Sequence, residues 1–151
     1  MGYYMRFFDT SEKPLTIGEI EAALRETNPA YRLEVPEGAK IPQADLYLGD
    51  GLYAEIEINE PGDGLLEDEI AEMLEFLKDA EGKARKRVEK VLKGARRIVS
   101  VRVLGQDRET ERTLAGIDPL WKWLFSTRAG LLQADGEGYY DADDLVLEES
   151  W

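Results

Sequence analysis

The chain has no histidine and no cysteine among its 151 residues. That removes Ser-His-Asp and Cys-His nucleophiles, imidazole general bases, disulfides and zinc sites of ordinary composition. A chain without disulfides suits a cytoplasmic location. No apolar run approaches the roughly 20 residues that cross a bilayer. The opening MGYYMRFF lacks the basic start and long apolar stretch of a secretory signal. Arg6 stands where myristoylation wants Ser or Thr. There is no GxxxxGK[ST] loop, no GxGxxG after a strand, and no basic-aromatic signature of an RNA-binding sheet. Carboxylate, Lys, Tyr, Ser/Thr and hard-metal chemistry remain. Nothing in the residues implies a cofactor.

What is present is acid. The formal charge is -13, with 34% charged and 43% hydrophobic residues. These values fit a folded, soluble chain, and the length suits a single domain over residues 1–151. Such a charge repels nucleic acid and anionic membranes and favours a basic protein partner.

Residues 3–9, YYMRFFD, read as a first strand. Thr16 and Glu19 form a capping box, Leu15 and Ile20 a hydrophobic staple, and Asn28-Pro29 ends the helix they start. YRLEV (31–35) alternates as a strand. ADLYLGDGLYAEIEIN is a hairpin turned at Gly49-Asp50-Gly51. In its second arm Leu52, Ala54, Ile56 and Ile58 share one face, and Tyr53, Glu55, Glu57 and Asn59 the other. From Ile70 to Ala95 the apolar positions stay in one helical phase. This predicts one long helix over about 65–95, bent at Gly82; two helices split there are the alternative. RRIVSVRVLG is a strand, and DRETERTLAG a short helix or turn. Asp118 and Pro119 suit the N-cap and first position of a further helix closed by Gly130. GLLQA and LVLEE are short terminal strands. The order predicts an α+β fold, an antiparallel or mixed sheet with helices mainly on one face. Its core is a ferredoxin-like β-α-β-β-α-β unit, with an extra hairpin strand and C-terminal additions. In that arrangement strand 3–9 lies between strands 52–59 and 97–104.

Several residue groups are candidate sites. Glu55, Glu57, Glu60 and Asp63 form an acidic cluster in sequence, which could hold a hard cation if its oxygens converged. The alternative is a cross-strand charge ladder of Glu55 and Glu57 with Arg6 and Arg102. The predicted long helix carries seven acids against Lys78 over 67–81, then eight bases against Glu89 over 83–97. Its basic face includes Arg85, Arg87, Lys90 and Lys93; this polarity complements the helix dipole and also suits self-association. Trp121 and Trp123 cannot share a helical face, so Trp123 packs at the core edge or caps a partner surface. GLLQADGEGYYDADD, residues 130–144, invites a metal-loop reading, but no register gives the acids and glycine of a calcium loop, so no metal ligand is assigned. It reads instead as a turn at Asp135–Gly138, with Leu131/Leu132 and Tyr139/Tyr140 in a terminal hairpin.

DTSEKPLTIGEIEAALRETNPAYR, EINEPGDGLLEDE and IDPLWKWLFSTRAGLLQADGEGYYD together resemble a family of small acidic bacterial proteins with no assigned activity. The resemblance implies a bacterial, cytoplasmic α+β protein and supplies no catalytic residues. The residues themselves favour a non-enzymatic binding or protein-interaction role, immunity- or inhibitor-like, in which acidity steers a basic partner. The alternatives are a carboxylate-dependent, metal-assisted hydrolase and a structural homodimer built on the long helix.

Overall fold

A computed structural model of the chain describes residues 3–149. The first strand, β1 (Tyr3–Asp9), has apolar side chains on both faces, so both faces need cover. Met5 and Phe7 join one core cluster and Phe8 another. The capping box forms as the sequence requires. Thr16 Oγ1 accepts from the Glu19 amide and Glu19 Oε1 from the Thr16 amide, both at 3.1 Å. It starts α1 (Ile17–Thr27), whose Ile20 and Leu24 are buried against the first cluster. The chain then runs through β2 (Tyr31–Glu34), β3 (Gln43–Leu48) and β4 (Gly51–Asn59), the last two joined at Gly49-Asp50.

Two helices follow, α2 (Leu66–Leu77) and α3 (Gly82–Gly94), then β5 (Arg97–Val103). The single long helix does not form. Gly82 has φ +90°, a left-handed conformation that breaks an α-helix and that glycine adopts without penalty. The break lets Met73 and Leu77 of α2 and Val88 and Leu92 of α3 enter the same core, where one straight rod of about 45 Å would overhang the sheet. The apolar phase is real, but it serves two helices on one sheet face. Leu77 is 2% exposed within this core and so is not on a free helical surface.

After β5 comes α4 (Thr110–Thr127), then β6 (Gly130–Ala134), β7 (Gly138–Tyr140) and β8 (Leu145–Glu148). The helix predicted to start at Asp118 starts at Thr110, so Pro119 lies inside it. Proline there leaves the Ala115 carbonyl without its helical partner, and Ala115 is exposed to water, which can take its place.

Among the described residues all eight strands join one antiparallel sheet, ordered β2-β3-β4-β5-β1-β6-β7-β8. The mixed α+β class is as the sequence indicates, but the strand order differs from the ferredoxin-like expectation. β1 lies between β5 and β6, and β4 pairs with the far side of β5. The long α4 carries the chain across β1, so the terminal strands complete the sheet rather than decorate it. Helices cover both faces, not mainly one. The α1 and α4 side chains pack with Phe7, Ile56, Val99 and Leu132, and those of α2 and α3 with Phe8, Ile98 and Leu131.

The β3–β4 ladder contains a bulge. Leu46 pairs with Ala54 but Tyr47 with Leu52, leaving Tyr53 as the extra residue. Tyr53 therefore does not share the face of Glu55 and Glu57. It is 6% exposed and joins the α1/α4 core. Its ring lies 3.6 Å from the Arg108 guanidinium and against Gly116, where an added Cβ would stand 2.4 Å from the ring.

Candidate binding groove

The acids singled out in the sequence do not converge. Glu55 and Glu57 lie on the sheet face that α2 and α3 leave open. Glu55 pairs with Arg102 at 2.8 Å, so half of the expected charge ladder forms. The other half does not, because β1 is not beside β4. Glu57 sits opposite Ser100 and accepts from Asn59, while Arg6 turns to Glu69 of α2 and to Asp135 just after β6. Asp45, in register between Glu34 and Glu55, is pushed above the usual carboxylate range by burial and then by those two acids. Asp63 caps the entry to α2, accepting from the amides of Glu60, Leu65 and Leu66. Burial raises its pKa, but the amides of Leu66, Leu65 and Glu60 outweigh it, and the net shift is downward. Glu60 stands 3.9 Å from Arg97. Among the described residues no group of three acidic side chains is placed to hold a metal ion.

The basic face of α3 is largely engaged. Arg85 and Lys93 both reach Glu89 at 3.2 Å, and Arg87 reaches Asp141 at 3.2 Å. Lys90 is exposed.

Tyr139 and Tyr140 are neighbours on β7 and point to opposite faces. Tyr139 is fully buried on the α2/α3 side, in a polar cluster that sequence periodicity cannot reveal. There Arg6 donates to Gln133 at 2.7 Å and Asp135 at 2.8 Å, and Gln133 donates to Glu149 at 3.3 Å. Burial drives the Glu149 carboxyl up to about 7, held back by Gln133 and Tyr139. The Tyr139 hydroxyl and Glu149 Oε1 influence each other's titration, and both are buried without a hydrogen-bond partner among the described residues.

Tyr140 points the other way, into a groove of about 650 Å³ between α4 and the sheet. The floor is apolar: Met5 of β1, Leu132 and Ala134 of β6, and Leu114, Trp121 and Phe125 along one stripe of α4. Phe125 is locked edge-on against Phe7, with centroids 5.1 Å apart. Acids form the rim: Asp118 from α4, Glu137 from the β6–β7 turn, and Asp141, Asp143 and Asp144 from the next loop. Lys122 is the cation among the lining residues. Glu137 accepts the hydroxyls of both Tyr3 and Tyr140. Burial raises the Asp118 pKa, and Lys122 partly opposes the shift. A volume of this size and an apolar lining with few polar groups are usual for a ligand or side-chain pocket.

Of the sequence candidates, Tyr140 lines this groove; Trp123 does not. It is half-buried on another side of α4, against the same core, and the groove takes Trp121 instead. The acidic run 141–144 was visible in the sequence, and it does form a wall. The floor was not, since its residues come from positions as distant as 5 and 134. No helix among the described residues is long and apolar enough to cross a membrane. No family model, no curated protein and no solved structure matches the chain.

Proposed function

We propose that this chain is a non-enzymatic interaction protein that binds a basic protein partner, in the manner of an immunity protein or inhibitor, at the groove between α4 and the C-terminal strands. The observation that carries this reading is the apolar floor enclosed by an acidic rim. Apolar contact supplies affinity, and surplus negative charge supplies speed and selection. With a formal charge of -13, the surface draws cationic partners and repels anionic ones. Arginine or lysine side chains would meet a rim in which Glu137 and Asp141 are already held by tyrosine hydroxyls and backbone amides, and Asp118, Asp143 and Asp144 are open to pair.

The test is retention of proteins from a bacterial lysate on the immobilised chain, eluted by salt and identified by mass spectrometry. A basic protein retained stoichiometrically is the expected result, with an association rate falling steeply as ionic strength rises. A chain that retains no protein, yet binds a small molecule in stoichiometric amount, would count against the proposal.

A further inference from the structure

The rim carboxylates differ in how far their charge is already engaged. Glu137 takes two tyrosine hydroxyls. Asp141 accepts from the amides of Asp143 and Asp144 and pairs with Arg87 across the chain. Asp118, Asp143 and Asp144 have no side-chain hydrogen bond or ion pair among the described residues; Lys122 lies beside Asp118, and Lys83 and Arg87 border Asp144 on its outer side. Asp118 lies on α4 and the other two on the loop, so carboxylates without a direct ion pair stand on two walls with an apolar floor between them. Its shape is an open trough rather than a closed cavity.

These features select an occupant. A purely polar cation would leave the floor in water. A neutral apolar group would bring low dielectric to three carboxylates without compensating them, which is costly. An anionic surface or nucleic acid is repelled. An open trough lets a chain pass through, where a free amine would be better held by a closed pocket. We infer that the groove takes a short amphipathic segment of a partner protein, with an aliphatic side chain seated between Trp121, Phe125 and Leu132 and adjacent Lys or Arg residues against Asp143, Asp144 and Asp118. This rests on the binding function proposed above and names what is bound.

The experiment uses the full chain and three fluorescein-labelled peptides of equal length in Gly-Ser flanks, with cores Leu-Leu-Lys-Lys, Leu-Leu-Glu-Glu and Gly-Gly-Lys-Lys. Binding is read by anisotropy. The first peptide is expected to bind at least about ten-fold tighter than either control, because each control forfeits one half of the recognition. Asp143→Lys with Asp144→Lys should lose about ten-fold and flatten the salt dependence, while Leu114→Gln, on the floor, should lose about threefold. Far-UV circular dichroism confirms that each variant is folded. The groove assignment is overturned if the Leu-Leu-Lys-Lys peptide binds no tighter than Gly-Gly-Lys-Lys, or if the double aspartate variant binds it unchanged. It is also overturned if octylammonium saturates the groove while no peptide binds, since the occupant is then a small amine. A basic lysate protein retained equally by wild type and the double variant overturns the groove and leaves the binding reading standing. A wild-type chain that retains no basic protein and prefers none of the peptides overturns both.

Discussion

Under α1 and α4 the sheet is apolar from Leu46 on β3 to Ala134 on β6. Under α2 and α3 it is apolar along one row, Ile98, Phe8 and Leu131, and changes within two residues along each strand. Phe8 is followed towards the chain start by Arg6 and Tyr4, Ile98 by Ser100 and Arg102, and Leu131 by Gln133 and Asp135. Each step of two residues stays on the same face. The second face is therefore a gradient, from apolar through hydrogen-bonded polar to open charge. Two short helices cover its apolar end, and the charged end needs no cover. This difference explains why the groove lies on the first face. A face that is apolar throughout leaves apolar floor wherever its helices stop short.

The faces also differ in how they bury charge, and the largest expected effect tests this. On the α1/α4 side Asp9 is fully buried and its Oδ2 accepts from Arg97 at 2.7 Å and Arg128 at 2.8 Å. Arg128 also donates to the carbonyls of Lys13 and Pro14, which fastens the loop leading into α1. Asp9→Ala would strip Arg128 of its anion and leave the buried Arg97 only Glu60, 3.9 Å away. A loss of about 3–5 kcal/mol is expected in denaturant unfolding. A loss under about 1 kcal/mol would show that the triad is solvated and that the first face buries charge no more firmly than an ordinary surface pair.

The second face buries an acid with no such cation at contact distance among the described residues. Glu149 faces Gln133 of β6, Asp135 just after it, Tyr139 of β7 and Arg6 of β1, and Glu69 of α2 acts on the neighbouring Tyr139. Its folded pKa is about 7, against 4.5 for a free glutamate. Between those values the folded chain keeps a proton that the unfolded chain releases. Stability is thus fully present below about pH 4.5 and falls as pH rises through 7. The full effect is at most about 3 kcal/mol. The neutral isostere Glu149→Gln should match wild type near pH 4.5 and exceed it at pH 8. Parallel stability curves for the two proteins would refute the assignment, and because the general effect of net charge is common to both, the difference isolates this one carboxyl.

Much of this architecture is legible locally. The Thr16–Glu19 box, the Asn28 stop, the Gly49-Asp50 turn and the 135–138 turn depend on neighbours in sequence, and each forms. What is not legible depends on distant partners. A positive φ at Gly82 has no periodic signature, because the apolar phase continues across it. The strand order depends on where α4 sets β6 down, so Arg6 meets Asp135 instead of Glu57. Asp9 of β1, Arg97 of β5 and Arg128 at the C-cap of α4 look unrelated until the sheet closes. The groove follows the same rule: its acidic loop is contiguous and readable, and its floor is assembled by the fold.

Gly116 sharpens the comparison from the packing side. A methyl group there would meet the ring of Tyr53 at 2.4 Å, and that ring cannot retreat because Arg108 lies against it. Arg108 is itself fixed by the carbonyls of Leu52 and Leu104 and by Thr113. Gly116→Ala should cost about 1–3 kcal/mol through overpacking, although alanine favours a helix. Thermal unfolding reads this directly, and a stabilised variant would mean that the first face is more loosely packed than its burial indicates.

The smallest effect belongs to the open end of the second face. Glu55 and Arg102 make a 2.8 Å ion pair, but their side chains are 48% and 42% exposed. Water screens the pair, and two long side chains must be ordered to form it, so Glu55→Ala should cost no more than about 1 kcal/mol. The direction is less obvious than for an ordinary surface bridge, because Glu55 also stands directly opposite Asp45. Like charges in cross-strand register repel. Removing Glu55 relieves Asp45, whose pKa should return toward the usual carboxylate range, and this offsets the lost pair with Arg102. Arg102→Ala relieves nothing and leaves three acids in adjacent register, Glu34, Asp45 and Glu55. The arginine variant should therefore be the less stable of the two, by a few tenths of a kcal/mol at low salt, with the gap closing as salt is added. The opposite order would mean that this row of acids is already relieved by groups outside the sheet face, and that the charged end of the gradient is covered after all.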